Sequence, residues 1–334
     1  MMKKTMSLLG LLLMVTALNA QKLHSTAEIM RVMIDSKLKY EVELMKKPIP
    51  GKDYSDKLNY HNFYRVSTDS MIKTLAYTFS EQSKPLFNKA ESLFQSNPDS
   101  AIYYYKLALK ADPQLFLVMT YIGQVYEQKK DLENAMKWYK KAISNNYIDY
   151  MAHWFLADAY ESTGKLDEAV DEIVIAQILN RNNFRIKSAM NRIFGLANKS
   201  TEDWSFNPQV KIEKKSENSI SVAMDEKWIG YGIAKAIWEF EPGYKASMGI
   251  KINEHSTLED KECLASLLVS LENAKVNIDK DPQLRVLKEA VLSKYIDEYI
   301  YYEMILPENP SVAYQLPEET ILRIKDYILK VRNK

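Results

Sequence analysis

The sequence predicts a mainly α-helical chain: an α-solenoid of helical hairpins with capping helices, followed by a mostly helical C-terminal domain that contains a small β-hairpin. Three observations predict it. Residues 121–142 read YIGQVYEQKKDLENAMKWYKKA, and residues 155–176 write the same pattern again as FLADAYESTGKLDEAVDEIVIA. A fixed offset of about 34 residues marks a unit that stacks on copies of itself. Only 9 glycines and 11 prolines occur in 334 residues, which favours long helices and short connections. Apolar residues also recur at three- and four-residue spacing over much of the chain, the periodicity of a buried helix face.

The chain opens MMKKTMSLLGLLLMVTALNAQ. Lys3 and Lys4 precede an apolar run from Leu8 to Leu18, and Ala17-Leu18-Asn19-Ala20 supplies small residues at the end. This is the layout of a secretory signal over residues 1–20, with an apolar run too short for a bilayer core, so cleavage is expected after Ala20. No cysteine follows to accept a lipid. The formal charge is +1, or −1 once Lys3 and Lys4 are lost, so no global field draws the chain to nucleic acid or an anionic membrane. Cys263 is the single cysteine, which excludes an intramolecular disulfide framework and suits a buried, inert thiol. No later segment is apolar for long enough to span a membrane.

Residues 21–83 are expected to form a helical capping region. Ile29, Met30, Met33, Ile34, Leu38, Val42 and Met45 follow a helix stripe from Ser25, where Ser25 and Glu28 suit a capping box. Pro48, Pro50 and Gly51 stop it. A second helix is expected from about Asp69 to Ser80, with Met71, Ile72, Leu75, Ala76 and Phe79 inward.

The repeats are expected over 84–197, with units at about 84–115, 116–149 and 150–183 and a closing helix carrying Phe184, Ile186, Met190, Ile193 and Phe194. Aligned without a gap, the two quoted stretches keep bulk at Tyr121/Phe155, Ile122/Leu156, Tyr126/Tyr160, Leu132/Leu166 and Tyr139/Ile173. They keep small residues at Gly123/Ala157, Ala135/Ala169 and Ala142/Ala176. Small residues are needed where a neighbouring backbone crosses closely, and bulky ones where ridges fill the gap between helix axes. The pattern resembles the tetratricopeptide repeat. The second unit supplies Met119, Ile122, Gly123, Tyr126, Ala135, Tyr139 and Ala142, and the third supplies His153, Leu156, Ala157, Tyr160, Ala169, Ile173 and Ala176. The first matches at Ala101, Tyr105, Ala108 and Pro113. It departs from the family where Tyr147 and Arg181 replace the unit-ending proline, and where Lys130 stands in place of the inter-helix glycine kept as Gly164.

The resemblance implies a concave groove lined by first-helix residues: Leu117, Thr120, Gln124 and Glu127 from one unit, Met151, Trp154, Asp158 and Glu161 from the next. One aromatic anchor among carboxylates has the composition of a peptide-binding hot spot. Solvation of this face, or its coverage by the chain's own termini, weighs equally. Family members that clamp a terminal carboxylate use Lys and Asn at these positions; Thr120, Gln124, Trp154 and Asp158 do not supply them.

The C-terminal domain, 198–334, begins with alternating runs Val210–Glu213 and Ile220–Ala223 around Lys215-Ser216-Glu217-Asn218, a β-hairpin. Helices are expected at 228–241, from the Ser256/Glu259 capping box to about Val276, from Asp281-Pro282 onward with Leu284, Leu287, Val291 and Tyr299 in its stripe, and from Pro317 to the end.

Chemistry-bearing patterns are weak. His24, His61, His153 and His255 are not at metal-ligand spacing. Gly230-Tyr231-Gly232 lacks the third glycine of a phosphate loop and reads better as a close helix contact. There is no Gly-x-Ser-x-Gly elbow. Glu239 and Glu241 beside Trp238, with Trp228 nearby, would suit a glycan-binding or glycan-processing site, but carboxylates two apart at a helix end are commonly only solvated. No catalytic residue, metal ligand or cofactor site is assigned. The expected function is a non-catalytic, exported scaffold or adaptor whose partner is a protein or peptide segment and not nucleic acid, its mature form periplasmic and not membrane-spanning. The alternatives are the glycan-directed protein and a structural subunit of an envelope assembly.

Overall fold

The computed structural model describes residues 23–68, 71–251 and 256–333; the expected signal segment, and His255, lie outside the described residues. The chain divides into two compact units that interleave in sequence. One combines the described residues up to Lys52 with Asp203–Ile300, and the other combines Asp53–Glu202 with Tyr301 onward. A division into consecutive domains, with 21–83 as a helical cap and 198–334 as one C-terminal domain, was the expectation from local pattern. Long-range strand pairing decides otherwise.

In the first unit, α1 (Thr26–Asp35) starts at Ser25, whose side chain and that of Glu28 form the reciprocal capping box. The expected continuation to residue 45 is corrected: the helix stops at Asp35, and β1 (Lys39–Leu44) follows. β1 pairs in parallel with a strand far down the chain, from Lys39 opposite Ser219 to Leu44 opposite Met224. In Lys39-Tyr40-Glu41-Val42-Glu43-Leu44, polar and apolar residues alternate, so the strand period was present but submerged in a helix-like spacing.

The second unit holds a hairpin of β2 (Phe63–Thr68) and β3 (Met71–Ala76), antiparallel from Phe63 opposite Ala76 to Thr68 opposite Met71. This corrects the helix expected over 69–80. Met71, Ile72, Leu75 and Ala76 satisfy a short helix stripe, and only the pairing with β2 makes them a strand.

The repeats follow as α2 (Ser83–Leu93) with α3 (Pro98–Ala111), α4 (Leu117–Gln128) with α5 (Leu132–Asn145), and α6 (Tyr150–Ser162) with α7 (Leu166–Leu179), closed by α8 (Phe184–Leu196). Ala90, Ala101, Ala135, Ala142, Ala157, Ala169 and Ala176 are all fully buried, together with Tyr105 and Tyr139. A Cβ on Gly123 would lie 2.4 Å from the Tyr139 ring, so this glycine is the space that the aromatic of the second helix occupies. Lys130, Gly164 and Asn198, spaced by one repeat period, take φ of 63°, 75° and 53°. Each sits at a helix end where the next amide bonds back across the turn: Asp131 to Tyr126, Lys165 to Tyr160 and Lys199 to Phe194. The left-handed turn is thus kept where the glycine is not, because the stacked helices hold it.

The unit is completed by the C-terminal stretch. A 3-10 turn at Pro310–Gln315 and α12 (Glu318–Tyr327) pack along α7, with Lys325 Nζ 3.0 Å from Asp171. Glu303 is fully buried and is met by Arg332 Nε at 2.8 Å and by the Tyr327 hydroxyl at 3.0 Å.

Back in the first unit, β4 (Val210–Ser216) and β5 (Ser219–Met224) form the expected hairpin, and the sheet order is β1-β5-β4. Central β5 buries Ile220, Val222 and Met224 beneath α9 (Ile229–Phe240). α9 crosses α10 (Thr257–Asn273) closely. Asp281 caps α11 (Pro282–Leu292) by accepting from the Leu284 amide. Ser256 caps α10 through the Leu258 amide, but Glu259 does not close the expected box; its carboxylate pairs with Lys235 Nζ at 2.5 Å. The buried Glu262 carboxylate accepts from Trp238 Nε1 at 2.6 Å, the Tyr244 hydroxyl at 2.7 Å and the His24 amide at 2.6 Å.

Candidate functional site

Two surfaces of the repeats carry side chains in register. One is the edge formed by the turns between units. Asp112, Asn146 and Asn180 are spaced by the repeat period, and each follows the last residue of a second helix with similar backbone angles, φ/ψ of −130/90°, −146/89° and −140/66°. All three grip the chain's own 59–83 stretch. Asn180 Oδ1 accepts from the Asn59 amide at 3.0 Å while its Nδ2 donates to the Asn59 carbonyl at 3.1 Å. Asn146 Oδ1 accepts from the Arg65 amide at 3.1 Å and its Nδ2 donates to the Phe63 carbonyl at 3.1 Å. Asp112 Oδ2 accepts from the Ser80 amide at 2.8 Å and from the Ser83 hydroxyl. A carboxamide can satisfy both the N–H and C=O of an extended backbone without reading its side chains. The segment therefore runs antiparallel to the order of the repeats, and this edge is occupied.

Beside the ladder, buried Asp149 caps α6 by accepting from the Ala152 amide at 3.0 Å, accepts from the Thr120 hydroxyl at 2.7 Å, and lies 2.6 Å from His61 Nε2. Burial opposes its charge; His61, Thr120 and the amide outweigh that and hold the carboxyl below the usual carboxylate range. The edges of Tyr121 and Tyr150 close over the imidazole.

The second surface is the first-helix face. Of the eight residues expected to line it, Leu117 and Thr120 are corrected. Leu117 is in the core of the first two units, and Thr120 is fully buried by its bond to Asp149. Both lie near the helix start, where the 59–83 stretch covers them. Gln124, Glu127, Met151, Trp154, Asp158 and Glu161 remain partly exposed. Trp154 stacks on Phe155 with centroids 5.6 Å apart. Glu127 accepts from the Tyr139 hydroxyl at 2.6 Å. Arg192 of α8, which the sequence reading did not single out, donates to Asp158 at 2.7 Å and to Glu161. It sits one repeat period beyond Asp158, so the repeat register itself was the signal that could have found it. Burial pushes Asp158 up from the ordinary carboxyl value, Arg192 works against that, and Glu127 and Glu161 add to it. The face is a mixed row of one indole, one guanidinium and several carboxylates.

The remaining candidates are structural. His153 is buried, with Nδ1 2.6 Å from Glu172 and Nε2 3.0 Å from the Tyr147 carbonyl. Cys263 is buried, and burial pushes its thiol pKa up. Gly230 packs on the Ser266 backbone. Trp228 and Trp238 are only 2 % and 1 % exposed, and Glu241 accepts from the Ser36 and Tyr40 hydroxyls, so these residues present no open platform for a sugar ring. Among the described residues, no group of three or more histidine, cysteine or acidic side chains is placed to hold a metal ion, and no helix is long and apolar enough to cross a membrane.

Comparison with known proteins agrees with the repeat register. Residues 120–147 and residues 139–176 each match a tetratricopeptide repeat model. Comparison with curated proteins gives no match. Similar solved structures include the first repeat domain of Spaghetti (RPAP3) bound to the HSP90 peptide SRMEEVD, 24 % identical over 36 % of this chain and 95 % of that one, with a TM-score of 0.34. The repeat domain of Arabidopsis OM64 is 19 % identical over 35 % of this chain and 97 % of its own, with a TM-score of 0.33. The Yersinia enterocolitica type III secretion chaperone SycD, in complex with a peptide of the translocator YopD, is 18 % identical over 36 % and 97 %, with a TM-score of 0.33. Tetratricopeptide repeats are thus present in residues 120–176.

Proposed function

We propose that this chain is a non-catalytic scaffold that captures a segment of another protein on the first-helix face of its repeats. The observation that carries the reading is the row left partly exposed there: Gln124, Glu127, Trp154, Asp158, Glu161 and Arg192, on three successive first helices. An aromatic anchor ringed by groups able to make charge-assisted hydrogen bonds is the chemistry of an interaction hot spot. The inter-unit edge does not compete for this role, since the chain fills it itself. A photo-crosslinking residue placed at Trp154 is expected to trap a partner protein in the native envelope, whereas the same residue at exposed Lys137 of α5 is not. Equal yields at the two positions, or none at Trp154, would remove the face from the account.

The proposal includes export. It rests on Lys3, Lys4 and the apolar run to Leu18, with periplasmic retention as the destination. N-terminal sequencing of the native protein is expected to read Gln21 first; a first residue at Met1 would refute it.

A further inference from the structure

Within the second unit, the β2–β3 hairpin, the end of α5, α6, α7 and the start of α12 line an open pocket of about 660 Å³. Ile72 and Ile143 give it an apolar wall, and Arg65, Lys140, Glu172 and Glu318 give it charge. Arg65 is held in place from two sides: its amide donates to Asn146, and Nη1 donates to the Leu316 carbonyl at 2.9 Å. Its Nε and Nη2 are buried and have no hydrogen-bond partner, and the buried hydroxyl of Tyr147, another wall residue, has none either. Nε–H and Nη2–H form the side-on fork of a guanidinium, whose geometric complement is a planar pair of oxygens on one anionic group. Leaving such a fork buried without an acceptor is unfavourable, so the fold holds donors here that its own side chains do not use.

The charges around the fork select among anions. Arg65 and Lys140 are balanced by Glu172 and Glu318, so the pocket is formally neutral before anything enters. A dianion such as phosphate would add a second negative charge against two carboxylates; a monoanion adds one, on the fork. The apolar wall asks for a body that loses water favourably. We propose that this pocket binds a monocarboxylate carried on an apolar body, its wall opening enough for the carboxylate to reach the buried Nε and Nη2 of Arg65, with the Tyr147 hydroxyl donating to the same group and the body over Ile72 and Ile143. A free aliphatic acid and the C-terminus of an apolar peptide share this chemistry.

Calorimetric titration of the full chain tests it, with 4-methylpentanoate, its amide, inorganic phosphate, and acetyl-Ala-Ala-Leu with a free or an amidated C-terminus as probes. The acid is expected to bind at least about tenfold more tightly than its amide, which cannot form the bidentate charged pair, and more tightly than phosphate, which brings a second negative charge and no apolar body. Arg65→Lys keeps the charge but removes the fork, and is expected to weaken acid binding by about tenfold or more. Tighter binding of the free-acid peptide than of 4-methylpentanoate assigns the source as a chain terminus; the reverse assigns a small acid. Equal binding of acid and amide, tighter binding of phosphate, unchanged affinity in Arg65→Lys, or no heat from either acid up to about 10 mM overturns the proposal. If Arg65→Lys does not fold, the acid and amide series on the parent chain decides alone.

Discussion

Replacing Gly230 by alanine is expected to destabilise the first unit by about 3 kcal/mol, the upper part of the range for overpacking a rigid site. The added Cβ would fall 2.1 Å from the carbonyl oxygen of Ser266 and 2.5 Å from Ser270 Oγ. A backbone oxygen inside a helix cannot turn away as a side chain could, so α9 and α10 must separate along their crossing. That separation also loosens the Glu262 carboxylate of α10 from Trp238 Nε1 of α9. Urea denaturation followed by tryptophan fluorescence measures the loss, with Gly195→Ala as the control. Nothing lies within 4 Å of a Cβ at Gly195 in α8, and there alanine is expected to be neutral or to stabilise by up to about 1 kcal/mol. A Gly230→Ala midpoint equal to the parent's would show that the helices do not cross as tightly as described.

Replacing Asn180 by alanine is expected to cost about 3 kcal/mol, since it strands the amide and carbonyl of Asn59, both in a buried setting. Asn59 keeps its side-chain bonds to the Leu179 and Pro310 carbonyls, so the segment loosens before it detaches. Limited proteolysis is expected to cut near residues 53–62 in the variant and not in the parent. A loss below about 1 kcal/mol with unchanged proteolysis would mean that the ladder merely accompanies the segment. The distinction bears on function. While Asp112, Asn146 and Asn180 hold the chain's own segment, a partner is left the first-helix face. If they release it readily, the same backbone-reading edge becomes available to other extended chains.

The repeat positions were legible because they obey a local rule. Gly123, Ala157, Tyr105 and Tyr139 are fixed by how closely two helices of one hairpin approach, which recurs with every unit and leaves a trace in the letters. Arg192 was legible by the same register, once α8 is counted as a further first helix. Leu117 and Thr120 were misplaced on the groove for a related reason. Periodicity places Thr120 and Trp154 at equivalent positions, but what covers each is set by a segment elsewhere in the chain.

The sequence by itself determined the helical hairpins, their small-residue crossings, the β4–β5 hairpin and the caps at Ser25 and Asp281, all of which depend on residues within a few turns of one another. Only the tertiary structure decided that Lys39–Leu44 is a strand, that 71–76 is another, that the inter-unit edge is filled from within, and that Arg65 faces a pocket with part of its guanidinium unused. Apart from the 71–76 strand, whose partner β2 lies 3 to 13 residues away, these outcomes depend on partners about 30 to 250 residues away, and in both cases backbone hydrogen bonding and burial outweigh the weak local preference of a short segment.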